Sequence, residues 1–225
     1  MTMTPSTLEQ DLLRPEAYGP PVRATEISRI ETHISWVFLL ERDVFKVKKP
    51  VDLGFLNFRT IERRKSACEA EVRLNARLAP DVYLGVVPVR ADVNGHAHLG
   101  ESGPIVDWAV HMRRLPDSAR ADERLARGAL TPAAIDAIAQ RIARFHGDLE
   151  ANSSVAEFGS PSVIDRNLEE NFAQTSANLE RYLQPDEADE LIRWQRAFLR
   201  GHSALFEERM RRGRVRDGHG DLRLE

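Results

Sequence analysis

The chain has 225 residues, enough for one large domain or two lobes sharing a cleft, and its 42% hydrophobic and 30% charged residues mark a folded globular protein rather than a disordered one. A net charge of -3 argues against a protein built mainly for nucleic acid or anionic membrane, and a single cysteine, Cys68, excludes an intrachain disulfide or a cysteine zinc cluster. The longest apolar runs, such as 35–40, are too short to cross a bilayer, and the start lacks the basic and apolar segments of a secretory signal, so a cytoplasmic protein is expected.

Residues 1–24 read as a polar N-terminal arm with a helical turn around Leu8 to Leu13, closed by Pro15 and Pro20-Pro21. The pattern then turns to strands. Ile34 to Leu40 is aromatic and β-branched, Glu41-Arg42-Asp43 is a polar turn, and Val44 to Val51 resumes alternation, which predicts a β-hairpin. On its second strand the period of two puts Val44, Lys46 and Lys48 on one face and Phe45 and Val47 on the other. Two lysines in line opposite an apolar face suggest the wall of a polar cleft; the plainer alternative is a solvated face.

From Thr60 to Ala79 the spacing is helical, with Ala67, Glu71, Leu74 and Leu78 on one stripe and Glu69 about 200° away from Ala67 on the charged side. A carboxylate on a buried stripe needs a cationic partner, and the preceding strand offers one. Lys46 is favoured over Lys48, because the side chain two residues earlier shares its face and would lie against an adenine. Val44 suits that place and a charged Lys46 does not.

Further strands are expected at Val82 to Val89 and Gly95 to Leu99, around an Asn94-Gly95 turn, and at Trp108 to Leu115. His111 on the last of these reads as a strand residue with a local partner. Residues 116–128 are polar and mark a boundary, so the sheet portion is assigned to 25–115 and a mainly helical portion to 116–225. In the second portion Thr131 caps a helix whose buried stripe is Ile135, Ile138, Ile142 and Phe145, ending at His146-Gly147. Ala151 to Pro161 is a small-residue linker. Two amphipathic helices follow, one marked by Leu168, Phe172, Leu179 and Leu183, the other by Leu191, Trp194, Phe198 and Leu205. The second ends in Arg209, Arg211, Arg212, Arg214 and Arg216, a run read as a solvated helix end. No aromatics interleave with these arginines, which weighs against a nucleic-acid patch.

The last stretch, Gly218-His219-Gly220-Asp221-Leu222, holds an aspartate among glycines after a short extended run, a way of presenting a carboxylate to a hydroxyl. The strand Val44-Phe45-Lys46-Val47, the helix bearing Glu71, the strand ending at Met112, the Phe145-His146 helix end and His219-Gly220-Asp221 come in an order that resembles the aminoglycoside-phosphotransferase-like kinases. The resemblance is closer still to a bacterial group in which such a domain is fused to a C-terminal P-loop kinase-like ATPase. There, stretches similar to Glu31-Thr32-His33-Ile34-Ser35, Lys46-Val47-Lys48-Lys49-Pro50 and the His-Gly-Asp loop recur. It covers roughly residues 25–225.

The resemblance implies an α+β, protein-kinase-like fold of two lobes, a small antiparallel sheet lobe and an incomplete, mainly helical one. It implies transfer of a phosphoryl group from ATP (or GTP), with Mg2+ in a complete homologue, to the hydroxyl of a small molecule. Lys46, braced by Glu71 with Lys48 in reserve, would hold the phosphates, and Val44 with backbone near Met112 to Arg114 would meet the adenine. Ser35, with Thr32 and His33, stands where a glycine-rich loop is missing. Asp221, beside His219, would orient the acceptor and take its proton. The sequence departs from the pattern at its end: it stops one residue short of the metal-binding asparagine, so no metal ligand is assigned. Little turnover is expected of this chain, and the helices around Phe145 and Phe198 are expected to expose apolar faces. The resemblance also implies a C-terminal P-loop ATPase domain as partner in a full-length form, and the rival reading is a non-catalytic nucleotide-binding pseudokinase or regulatory module.

Overall fold

The computed structural model describes residues 5–20, 22, 24–54, 56–179, 181–220 and 222, and Asp221 lies outside them. The protein is α+β, with a curled antiparallel six-stranded sheet and several helices. Its contacts divide it into two compact units that meet in sequence at Leu130–Thr131.

The first unit contains the sheet, ordered β1-β2-β3-β6-β4-β5 from strands β1 (Ser28–Glu31), β2 (Ser35–Leu39), β3 (Asp43–Lys48), β4 (Tyr83–Ala91), β5 (Ala97–His98) and β6 (Ile105–Arg113). The expected hairpin is β2–β3, whose aromatic and β-branched residues pair Trp36 with Val47 and Phe38 with Phe45. β5 returns on β4 through a turn in which Gly95 has φ +83°, a conformation that costs glycine little. Helix α2 (Ile61–Asn75) starts at Thr60, whose side chain accepts from the Arg63 amide.

The cross-strand partners Trp36, Val47 and Ala109, together with Phe38 and Phe45, form one apolar face of the sheet. That face is covered by residues read from sequence as an arm. Helix α1 (Pro5–Asp11) and the turn at Pro15–Ala17 lay Leu8, Leu12, Ala17 and Tyr18 into the core, and Leu12 is fully buried. The Tyr18 hydroxyl donates to the Leu12 carbonyl at 2.7 Å, and its ring lies 5.5 Å from that of Phe45. Asp11 accepts from the Ala97 amide at 2.8 Å, and Leu99 N–H donates to Ala17 O at 2.7 Å. Leu8 and Leu12 are one helical turn apart and so meet that sheet face together, where Val22, Ala24 and Ile27 also pack.

The second unit is helical. After the short α3 (Ala121–Ala126) of the first unit, Thr131 caps α4 (Pro132–Asp148) by accepting from the Ala134 amide at 3.2 Å. The stretch expected as a linker contains α5 (Ser153–Glu157), started by Asn152, whose side chain accepts from Val155 N–H at 2.8 Å. Helices α6 (Pro161–Leu179) and α7 (Pro185–Gly201) are tied by a two-pronged Arg196–Glu169 pair, both contacts 2.6 Å. The last expected helix is two. Gly201 ends α7, His202 leaves helical geometry with ψ +18°, and α8 runs from Ser203 to Arg211. Arg214 and Arg216 therefore lie beyond the helix whose end they were expected to form.

Among the described residues of this unit only Ser160, Ala188 and Leu199 are buried. Ile135 and Ile138, expected to be buried, are exposed, while Ile142 and Phe145 one and two turns later are half-covered. Among the described residues no helix is long and apolar enough to cross a membrane.

Candidate functional site

The register of β3 sets up the site. Lys48 lies opposite Ser35, Lys46 opposite Val37 and Val110, and Val44 opposite Leu39 and Met112, so these side chains share the sheet face away from α1. Helix α2 packs there against β4 and β6. Its inward line is not the apolar stripe expected from sequence but Arg64, Cys68 and Glu71, at steps of four and three residues.

Glu71 takes both lysines. Its Oε1 accepts from Lys46 Nζ at 2.8 Å, and its Oε2 accepts from Lys48 Nζ. Lys48 is buried at 6% side-chain exposure, while Lys46 keeps 27%. Burial alone would raise the Glu71 carboxyl, but the two ammoniums outweigh it and hold the group below the ordinary glutamate range. Both lysines between which the sequence left a choice thus pair with Glu71, and Lys46 is the more exposed of the two. Glu69 is on the exposed side, 3.6 Å from Lys65.

A second ion pair beneath the first escaped the sequence reading. Arg64 Nε donates to both carboxylate oxygens of Asp107, at 2.9 and 3.1 Å, and Arg64 Nη1 donates to the carbonyls of Phe58 and Arg59 at 2.9 and 3.2 Å. Burial raises the Asp107 carboxyl despite the guanidinium beside it. Arg64 precedes Glu71 by seven residues, two helical turns, so the spacing that picked out Glu71 also placed Arg64 on its face. Between them the Cys68 thiol is pushed by burial up to about 12, which makes it a packed neutral group and not a nucleophile.

The remaining expected contacts are mixed. The Ser35 hydroxyl is buried on the lysine face and finds no hydrogen-bond partner among the described residues. The Ser35 N–H donates to Thr32 Oγ1 at 3.0 Å, which closes the turn before β2. Val44 and Met112 are direct cross-strand partners. The amides of Arg113 and Arg114, expected to face an adenine edge, are already donated to Val82 O and Arg42 O, both at 2.8 Å. Those two positions offer no free donor, because the chain leaving β6 is held to the start of β4 and to the β2–β3 turn. His111 has its local partner: Nε2 lies 2.6 Å from Asp43 Oδ1, and the ring stacks on Phe45 at 4.6 Å.

In the helical unit His146 sits in the last turn of α4, its ring 5.7 Å from that of Phe145. The loop that carries His219 is turned tightly, with Gly218 N–H donating to Arg216 O at 2.9 Å and Gly220 at φ +78°. His219 is exposed, and Asp221, assigned as the base, falls outside the described residues. Among the described residues no group of three or more His, Cys, Asp or Glu is placed to hold a metal ion.

The sequence is similar to proteins of Mycobacterium tuberculosis and Mycobacterium bovis, each named only as an uncharacterized protein, at 34% identity over 192 residues. The match covers 85% of this chain but 37% of each relative, so the chain spans well under half the length of the curated relatives it matches. No family model matches the chain, and no solved structure matches it.

Proposed function

We propose that this chain is the nucleotide-holding portion of a kinase-like phosphotransferase of two lobes, which moves a phosphoryl group from ATP or GTP to a hydroxyl of a small molecule. The observation that carries the reading is the charge count under α2. Lys46, Lys48 and Arg64 face Glu71 and Asp107, three cations against two carboxylates, and the surplus ammonium is the half-open Lys46. A partly desolvated surplus charge is costly unless an anion meets it, and phosphate oxygens are the anions that such a strand lysine takes in kinase-type folds. The buried Ser35 hydroxyl on the same face has no hydrogen-bond partner among the described residues. ATP would supply the phosphoryl group. Lys46 would hold its phosphate oxygens, Glu71 would fix the direction of Lys46, and Lys48 would keep Glu71 ionised. Asp221 would orient the acceptor hydroxyl and receive its proton. Mg2+ is assigned no residue, since none among those described groups to hold it.

Calorimetric titration with ATP and with GTP tests this. Lys46→Ala leaves the Lys48–Glu71 pair in place, so the fold should survive while nucleotide affinity falls about tenfold or more, the effect of losing one strong charge-assisted contact. Equal nucleotide affinity in wild type and Lys46→Ala would overturn the reading. The same charges also suit a binding module that performs no transfer. In a longer protein that contains this chain, nucleotide binding with no change in phosphoryl transfer between wild type and Asp221→Ala would select that alternative.

A further inference from the structure

An open pocket of about 480 Å³ lies on the helical unit, lined by Ala143, His146 and Gly147 from the end of α4 and by Arg214, Arg216 and Gly218 from the stretch after α8. Its size is that of small-molecule sites. The ionisable residues on its lining are Arg214, Arg216 and His146, and among the described residues no aspartate or glutamate lines it.

The arginines near the chain end are not interchangeable. Arg211 and Arg212 both pair with Glu208, and the Arg209 guanidinium lies 5.9 Å from the centre of the Phe206 ring. Arg216 donates to the Leu149 carbonyl, a bond that fixes its direction without cancelling its charge. Arg214 has no carboxylate partner among the described residues, although its backbone N–H is fixed on Arg209 O at 2.8 Å. Gly218 approaches the opposite wall closely enough that a Cβ there would lie 3.8 Å from His146 Nε2. The pocket is thus held and positively lined, immediately before His219 and Gly220.

We propose that this pocket binds the anionic group, phosphate or carboxylate, of a small hydroxyl compound, and that it thereby selects an acidic acceptor over an amine-rich one such as an aminoglycoside. Guanidinium forks match the oxygens of phosphate and carboxylate, while a polyamine entering the pocket meets like charge with no acidic side chain among the described lining residues to receive it. The word acceptor rests on the phosphotransferase reading; anion binding by the pocket does not.

The test is calorimetry on the 225-residue chain with glycerol 3-phosphate, glycerate, kanamycin and a short single-stranded RNA. One or both small anions should bind, with affinity about tenfold weaker in Arg214→Gln, and kanamycin should not. The two anions distinguish a phosphate site from a carboxylate site. Binding should persist in saturating ATP and in Lys46→Ala, so failure of the nucleotide reading leaves this arm intact, and the reverse holds for ATP binding in Arg214→Gln. Arg216→Lys keeps the charge but loses the fork, and should fall between wild type and Arg214→Gln. The thermal melt of Arg214→Gln should match wild type, since that side chain holds no fold contact to a described carboxylate. Absent anion binding, equal binding in Arg214→Gln, tighter binding of kanamycin, or RNA that displaces the small anions would each overturn the proposal.

Discussion

At the scale of single residues, the interior of the sheet unit is organised by charges that only make sense in pairs. Arg64 is buried because Asp107 and two backbone carbonyls receive it. Arg64→Met alone should therefore cost about 3–5 kcal/mol by stranding the Asp107 carboxylate, whereas Arg64→Met with Asp107→Leu should recover most of that loss. Urea titration of the two single variants and the double variant checks the coupling. Glu71 carries a pH dependence of definite sign. Its folded carboxyl is held below its unfolded value, so its stabilising effect is full at neutral pH and is lost only as pH falls through the lowered value. The stability difference between wild type and Glu71→Gln should stay constant from about pH 7 to about pH 5 and close below that.

At the scale of elements, periodicity located most pieces and misjudged what they bury. The hairpin and the Thr131 cap fall where the sequence placed them, and the strand through His111 is present but runs Ile105–Arg113 in place of Trp108 to Leu115. Helix α1 is the informative exception. Leu12 is fully buried and Leu13, its neighbour, is more than a third exposed, so Leu12→Ala should cost about 2–5 kcal/mol and Leu13→Ala within about 0.5 kcal/mol. Thermal or chemical melts of the two variants measure the contrast; similar small losses in both would show that α1 is not part of the core. A polar seven-residue segment bounded by prolines carries no strong signal of its own, because its order comes from the sheet face that it covers.

At the scale of the molecule, the two units differ in how they are held. The sheet unit has a contiguous core from Leu8 to Ala109, whereas the described part of the helical unit buries three residues and leaves Trp194, Ile135 and Ile138 exposed. Local stability follows burial. Hydrogen exchange should accordingly find the amides of β2, β3 and β6 the slowest in the protein and those of α4, α6 and α7 markedly faster. Uniform protection across the two units would contradict that. The exposed apolar faces around Phe198 agree with the sequence expectation in position.

Sequence by itself determined the α+β class, the hairpin with its in-line lysines, and the facing of Glu71 toward them, since periods of 2 and 3.6 assign faces without any knowledge of neighbours. Only the tertiary structure decided that Glu71 serves both lysines, that Arg64 pairs with Asp107, that the amides of Arg113 and Arg114 are occupied, and that Arg214 and Arg216 line a pocket beyond α8. Each of these depends on what stands opposite a side chain or an amide across tens of residues of sequence. Pairing of that kind is a property of packing, and local spacing holds no record of it.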